Sequence, residues 1–417
     1  MWDQLWTNAT IATMEPGGAP FGLVEHGALA SQDGRIAWIG PAGAIPAPAR
    51  TTTDCGGKLL TPGLVDPHTH VVHAGARRTD WELRLAGATR DDLTRLNGGI
   101  RGTMLTTRAA SDAELFQQSA ARISVLIANG VTTLESKSGY GLDLETELRL
   151  LRTSRELGRR LPVDIVCTFM GAHAVPPEFE GDPDAYIDHL IDAVLPAAIA
   201  EDLVDLVDGY CDTPKFRGFT HAQMDRMFDA AARHGKRVTL HADQYSEAAA
   251  SELAGRHHAL SAAHLEYATE QGVQALAAAG AVALLLPGAH YTLFETRKPP
   301  VALFRQHGVP MALATNNNPS SSPCLMPTMI MSLATTLFRL TAEEAVAGFT
   351  RESARALDLL HDRGTLAPGK RADLVLWDLP HPAELPYRIA HSPVCAVIRG
   401  GETVHAAAAP NLLSEAR

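Results

Sequence analysis

Eight short apolar runs recur through the middle of the chain, at residues 63–66, 131–136, 164–171, 203–210, 237–242, 259–263, 281–286 and 310–315. Most are nearly unbroken in hydrophobicity, the pattern of strands covered on both faces in a parallel sheet rather than strands with one wet face. Amphipathic stretches separate them, and three open with Ser or Thr followed three residues later by Glu or Gln: Ser111 with Glu114, Thr220 with Gln223, and Thr341 with Glu344. Each fits a capping box, so each predicts a helix start. Eight strands alternating with helical crossovers predict an α/β fold, a (β/α)8 TIM-like barrel. An open doubly wound sheet is the alternative, but no Gly-rich phosphate loop follows the first run.

The two ends read differently. Short β-rich pieces punctuated by Gly and Pro lie at 37–41 and 56–60, and again at 372–377 and 394–398, the third after the turn Ala367-Pro368-Gly369-Lys370. Such pieces predict a small β domain to which both ends contribute, with the barrel inserted between them. The division expected is 1–60, 61–360 and 361–417.

Composition narrows the classes. At roughly 150 residues per domain, 417 residues make two to three units, although an α/β barrel takes about 250 by itself. With 46% hydrophobic and 20% charged residues, a large core is available and disorder is disfavoured. A formal charge of −11, from 36 basic and 47 acidic residues, argues against nucleic acid and anionic membranes as partners. The most apolar stretch, 276–289, is broken by Gly280 and Pro287-Gly288 and falls short of the ~20 residues a membrane span needs. Met1-Trp2-Asp3-Gln4-Leu5-Trp6 has neither the basic start nor the apolar run of a secretory leader. Five scattered cysteines without a CxxC pair suggest reduced thiols. The expectation is a soluble cytoplasmic protein.

Eighteen histidines make a metal or acid–base site worth seeking. His68 and His70, in Pro67-His68-Thr69-His70, leave the first run two residues apart, so both imidazoles point to one side of an extended strand. At the C-terminal mouth of a barrel both can reach one metal ion. By itself the pair also fits a strand end with one packed and one exposed histidine. Other polar residues fall at other run ends: His173, His241, His264 and Asn316. Any one of them fits a hydrogen-bonded rim residue, but their shared level in the fold points to a site.

The stretch Pro62-Gly63-Leu64-Val65-Asp66-Pro67-His68-Thr69-His70 resembles the first-strand signature of the amidohydrolase superfamily, whose barrel sits on a β-sandwich built from both chain ends. Glu135-Ser136-Lys137-Ser138-Gly139-Tyr140-Gly141-Leu142, Gly171-Ala172-His173-Ala174-Val175-Pro176, His241-Ala242-Asp243 and His264-Leu265-Glu266 narrow the resemblance to the imidazolonepropionase family, over nearly the whole chain. That resemblance implies hydrolytic ring opening of 4-imidazolone-5-propanoate to N-formimino-L-glutamate with one divalent ion, zinc or iron. It implies His68, His70 and His241 as metal ligands and His264 as proton shuttle or electrophile. It implies Arg77 and Tyr140 on the substrate carboxylate, His173 and Gln244 on the ring, and Asn318, Ser320 and Ser321 in the last loop touching substrate and product.

Two positions depart from the family pattern. Gln244 replaces a carboxylate found in some members, so it can hydrogen-bond the ring but cannot act as a base. Asn316 stands where the family's motif has an aspartate that ligates metal and partners the attacking water. Asn offers a carbonyl oxygen to a metal but carries no charge and takes no proton. The loop also lacks the usual glycine after Pro319. Lys137 lies on the second strand, whereas the metal-bridging lysine of some amidohydrolases lies on a later one, so a single ion is implied. His257-His258 reads as a connector, and the acids of 143–156 as a solvated helix face.

Two alternatives remain at this point. One is another ring hydrolase or aminohydrolase of the superfamily acting on a purine or pyrimidine, against which Arg77 and Tyr140 argue because a neutral base has no carboxylate. The other is a catalytically impaired barrel that binds the metabolite, which Asn316 keeps open. A homodimer is also open, since such barrels commonly pair, but no interface is legible.

Overall fold

The computed structural model describes residues 1–96, 98–213 and 218–407. The eight apolar runs become eight parallel strands: β1 (Leu64–Asp66), β2 (Val131–Lys137), β3 (Asp164–Ala172), β4 (Leu206–Cys211), β5 (Arg237–Ala242), β6 (Ser261–His264), β7 (Val282–Leu285) and β8 (Met311–Leu313). Each pairs with the next in chain order. All the residues of β2 and β4 are buried, as a strand sheathed by helices must be. The three predicted capping boxes are present, with both reciprocal hydrogen bonds, at the starts of helices Asp112–Ala128, His221–Arg233 and Ala342–Gly348.

No ladder joins β1 to β8 among the described residues, and side chains close the seam instead. The buried Asp66 carboxylate accepts from the Thr315 backbone N–H at 3.1 Å and from the Thr315 hydroxyl at 2.5 Å. Just beyond, the His70 N–H donates to the Asn317 carbonyl at 2.9 Å. These bonds fix the loop after β1 against the loop after β8. Burial pushes the Asp66 carboxyl up to about 7.

The chain ends build a second sheet, as expected. Its longest strand, Trp2–Ala12, pairs antiparallel with Leu23–Gln32, which pairs with Arg35–Pro41. On its other edge Trp2–Ala12 runs parallel first to Ala49–Asp54 and then to Leu59–Pro62. From Leu59–Pro62 the sheet continues antiparallel into Leu374–Trp377, Val394–Arg399 and Glu402–Ala406. A buried cluster of Trp6, Ile11, Leu29, Ile36, Leu60, Leu374 and Ile398 unites the two ends of the chain. Trp2–Ala12 and Leu23–Gln32 escape a sequence reading because register shifts at Trp6/Ala9 and Ala9/Ile11 break the period-two alternation.

Asp164, at the start of β3, fastens the barrel to this sheet. Its carboxylate accepts from Arg363 at 2.6 Å and Arg371 at 2.8 Å, and from Arg399 of the last hairpin. Burial raises the Asp164 pKa, but the three guanidinium groups outweigh it and hold the carboxyl below its ordinary value of 3.8. Because the folded-state value is depressed, the contribution to stability is complete above 3.8 and is lost as pH falls through the lower, folded value. Asp164→Asn is therefore expected to destabilise the protein by about 3 kcal/mol, since it leaves partly buried guanidinium groups uncompensated. Thermal unfolding should show that deficit constant from pH 8 to about 5 and shrinking below about 4. Coincident melting of parent and variant at neutral pH would show that the cluster contributes no stability.

Candidate functional site

Three strand ends deliver imidazoles to one point above the barrel core. His68 and His70 extend from β1 and His241 lies near the end of β5, and their ligating nitrogens all lie within 4.8 Å of one another. All three rings are buried. His241 Nε2 and His70 Nε2 are 3.4 Å apart, and the His68 and His241 ring centres are 4.5 Å apart. His68 Nε2 and His70 Nδ1 are buried with no hydrogen-bond partner among the described residues. Clustered, unpartnered nitrogen lone pairs suit a divalent metal and little else, so the residues present fit the group that the sequence implied. Burial holds His68 and His70 well below the usual imidazole range and lowers His241 to about 4 against the opposing pull of Asp208. The neutral ligand form needed for coordination is thus the resting form.

Beneath the histidines lies an ionic network. His241 Nδ1–H donates to Asp208 Oδ1 at 3.2 Å, which leaves Nε2 as the coordinating atom. Asp208 Oδ2 also accepts from Lys137 Nζ at 2.6 Å and the Thr239 hydroxyl at 2.7 Å. Lys137 Nζ donates to Glu135 as well, and the Thr168 hydroxyl donates to Glu135 Oε1 at 2.6 Å. Desolvation pulls the Lys137 pKa down, but Asp208 and Glu135 outweigh it and hold the ammonium charged. Burial likewise raises Asp208, yet Lys137 and His241 keep its carboxylate well below the ordinary range, whereas burial wins at Glu135 and pushes it up to about 7. Lys137 is therefore a buried counter-ion within the barrel.

The histidines open into a cavity of about 820 Å3. Tyr140, His173, Gln244, His264, Asn316, Asn318, Ser320 and Ser321 all line it, brought together from five loops and strand ends widely separated in sequence. His173 stacks on His70, with ring centres 5.0 Å apart, and its Nδ1–H donates to the Gly139 carbonyl at 3.0 Å. Burial lowers His173 to about 3 and raises the Tyr140 phenol above its ordinary value. His264 is buried, 5.6 Å from His241 between ring centres, with Nδ1 3.7 Å from the Glu266 carboxylate. Asn318 Oδ1 accepts from the Ser320 and Ser321 N–H groups at 2.9 and 2.7 Å, and its amide donates to the Asn316 carbonyl at 2.7 Å. Asn316 takes a left-handed backbone, φ 49°, which Asn tolerates better than most residues.

Arg77 stands apart from the others. Its Nε and Nη2 donate to Asp80 at 3.0 and 2.7 Å, and the cavity wall on that side presents Arg84 and Arg101. His257 is bonded to Asp225 at 2.7 Å, in keeping with a connector.

Two features went unread. Asp208 sits in the apolar run Leu206-Val207-Asp208-Gly209-Tyr210, and an acid inside a strand buried on both faces was the available signal. Glu147 corrects the expectation of a solvated acidic face over 143–156. It is fully buried, and its carboxylate accepts from the backbone N–H groups of Gly139, Gly141 and Leu142, which shapes the turn carrying Tyr140. Helical periodicity cannot show which acid a loop will claim.

Comparisons with known proteins agree with this geometry. Residues 59–404 match the model of the amidohydrolase family. An imidazolonepropionase of Caulobacter vibrioides is 50% identical over 400 residues, 96% of this chain and 99% of its own. One from a Methylobacterium species is 51% identical over 400 residues, with the same coverage. Among solved structures, a 5-methylcytosine deaminase from Klebsiella pneumoniae superposes with a TM-score of 0.75 at 18% identity, covering 97% of this chain and 98% of its own. An adenosine deaminase from Xanthomonas campestris with bound zinc gives 0.68 at 18% identity, over 96% and 92%. At that identity the two deaminases speak for the fold alone.

Asp208→Asn should cost about 10–100-fold in metal affinity, because the remaining amide no longer fixes the His241 tautomer or balances Lys137. Competition for zinc against a chelator of known affinity measures this, and unchanged affinity would show that the tautomer is set by some other contact.

Proposed function

Since this chain belongs to the amidohydrolase family, and within it to the imidazolonepropionases, we propose that it opens the ring of 4-imidazolone-5-propanoate with water to give N-formimino-L-glutamate. The observation that carries the reading is identity of about half over nearly the full length of the curated relatives, joined to a three-histidine cluster at the floor of the cavity. In the reaction the water oxygen bonds to the ring carbonyl carbon, the adjacent carbon–nitrogen bond breaks, and a proton passes from the water to the departing nitrogen.

His68, His70 and His241 would hold the ion, zinc or iron. When bound, it supplies Lewis acidity toward the ring carbonyl and toward the attacking water. His264 lines the same cavity with its Nδ1 edge toward Glu266, which leaves Nε2 to take the water's proton and return it to the ring nitrogen. Gln244 is half-buried and offers an amide to the ring N–H and carbonyl without taking a proton. His173, held as the Nδ1–H form by the Gly139 carbonyl, turns an unprotonated Nε2 to the substrate ring. Tyr140 and Arg77 would receive the propanoate, while Ser320 and Ser321, fixed by Asn318, line the far side. Burial of His70, Tyr140, His241 and His264 strengthens the polar contacts they make. A cytoplasmic setting suits five scattered cysteines.

Asn316 supports a slower enzyme as the second reading. Its side-chain oxygen accepts from Asn318 at 3.2 Å and brings no negative charge to the histidine cluster. Incubation with freshly generated imidazolone propanoate and added zinc or iron should remove the ring's ultraviolet absorbance. No loss with either metal would refute the activity and leave the fold intact. Asn316→Asp is expected to raise metal affinity or turnover by on the order of tenfold, as a charged ligand replaces a neutral one. If metal content and turnover both stay the same, Asn316 lies outside the metal's coordination.

A further inference from the structure

The loop leaving β2 is built around one acid, Glu147, in the first turn of the helix Leu144–Arg160. The residue is fully buried, and its partners are backbone groups rather than cations. Its Oε1 accepts from the Gly141 and Leu142 N–H groups at 2.8 Å each, and its Oε2 accepts from the Gly139 N–H at 2.9 Å. The Ser138 hydroxyl bonds the same carboxylate. Successive N–H groups converging in this way form an anion-binding nest, and here the chain supplies the anion itself. A negative charge in the first turn is also favoured by the helix dipole.

The turn needs such a tie. Gly139 and Leu142 are left-handed, with φ 96° and 58°, and that backbone is strained for leucine. The packing is close as well. A Cβ at Gly139 would fall 2.6 Å from the Met170 carbonyl oxygen, and one at Gly141 would fall 2.7 Å from the Glu147 nitrogen. On the outer side Arg108 Nε donates to the Gly141 carbonyl at 2.7 Å, but that guanidinium is shared with Asp143 and Glu178. The bonds to Glu147 are the ones shielded from solvent, so they set the shape of the turn.

Two groups of the cavity depend on that shape. Tyr140 lies between the bonded N–H groups of Gly139 and Gly141, with its ring centre 5.5 Å from that of His70. The Gly139 carbonyl accepts the Nδ1–H of His173 at 3.0 Å, which leaves His173 Nε2 unprotonated. We propose that Glu147 is a positioning residue that holds both Tyr140 and His173 toward the substrate through the turn 139–142. It acts only through them, since it does not line the cavity. This rests on the reading of Tyr140 and His173 as groups that face the substrate of the proposed reaction.

The test is a double-mutant cycle on the zinc-loaded protein, with Glu147→Gln, Tyr140→Phe and the two combined. Gln keeps the size of the side chain and one acceptor oxygen, but turns an NH2 toward backbone donors. Glu147→Gln should raise KM for imidazolone propanoate by on the order of tenfold, the loss of about one substrate hydrogen bond. In its background Tyr140→Phe should cost under about threefold, because the phenol is already misplaced. Zinc affinity, measured against a chelator, should stay the same, and Glu145→Gln on the exposed side of the same helix turn should match the parent. A merely structural role would leave the two substitutions additive, and additivity overturns the proposal. So does an unchanged KM, or a fall in zinc affinity that accompanies the rise in KM. A readout independent of turnover is nitrogen-15 NMR of labelled histidine, with the His173 signals assigned by their loss in His173→Asn. The parent should show His173 as the Nδ1–H tautomer, and Glu147→Gln should show a mixture. If the parent does not turn over imidazolone propanoate, the proposed reaction fails and the tautomer decides: a mixture in the variant supports the inference, and an unchanged Nδ1–H form overturns it.

Discussion

A carboxylate buried at the centre of a barrel must be fully engaged by donors or it will take up a proton, and Asp208 is engaged on every side. It holds the Nδ1–H of His241, the Lys137 ammonium and the Thr239 hydroxyl, drawn from β5 and β2. Each of these groups would be costly to bury alone, and together they satisfy one another. The consequence reaches upward. With His241 fixed as the Nδ1–H form, its Nε2 joins the nitrogens of His68 and His70 as a set of unprotonated donors. The chemistry of the mouth therefore depends on a charge balance in the layer below it, whose residues do not line the cavity.

The same dependence appears at the seam. A barrel whose first and last strands do not form a ladder needs some other tie, and Asp66 supplies it by binding the backbone and hydroxyl of Thr315. Because Asp66 precedes His68 by two residues and Thr315 precedes Asn316 by one, closing the barrel and placing two site residues are the same event. The backbone is left-handed at Asp243, His264, Leu265 and Asn316, where the chain turns sharply out of its strands, and of these His264 and Asn316 line the cavity.

The chain-end sheet serves the site at a distance. Asp164 and its three arginine partners tie the start of β3, at the end of the barrel away from the cavity, to residues near the C-terminus. The ion cluster lies at that end, whereas the opposite end carries the cavity and the left-handed turns. This division is common to barrel enzymes, in which loops at the C-terminal ends of the strands hold the chemistry.

By itself the sequence determined the parallel barrel, because runs apolar on both faces have few other homes, and it determined three helix starts, because a capping box is a local bond. It also placed His68, His70, His173, His241 and His264, since a polar residue at the end of an apolar run has only the mouth to occupy. What it could not determine were interactions that need two distant segments at once. Glu147 resembles any acid on a helix until the turn at Gly139 to Leu142 folds onto it. Lys137 is set aside as a bridging ligand by its strand alone, but its place as a counter-ion emerges only when Asp208 and Glu135 enclose it. The strand Trp2–Ala12 loses its alternation to bulges that only its partners define. Arg77 reads as one of two adjacent arginines until Asp80, three residues away, accepts from its Nε and Nη2. Period and propensity act within a few residues along the chain, whereas charge compensation is settled by what lies within a few ångströms in space, and the tertiary fold alone decides that.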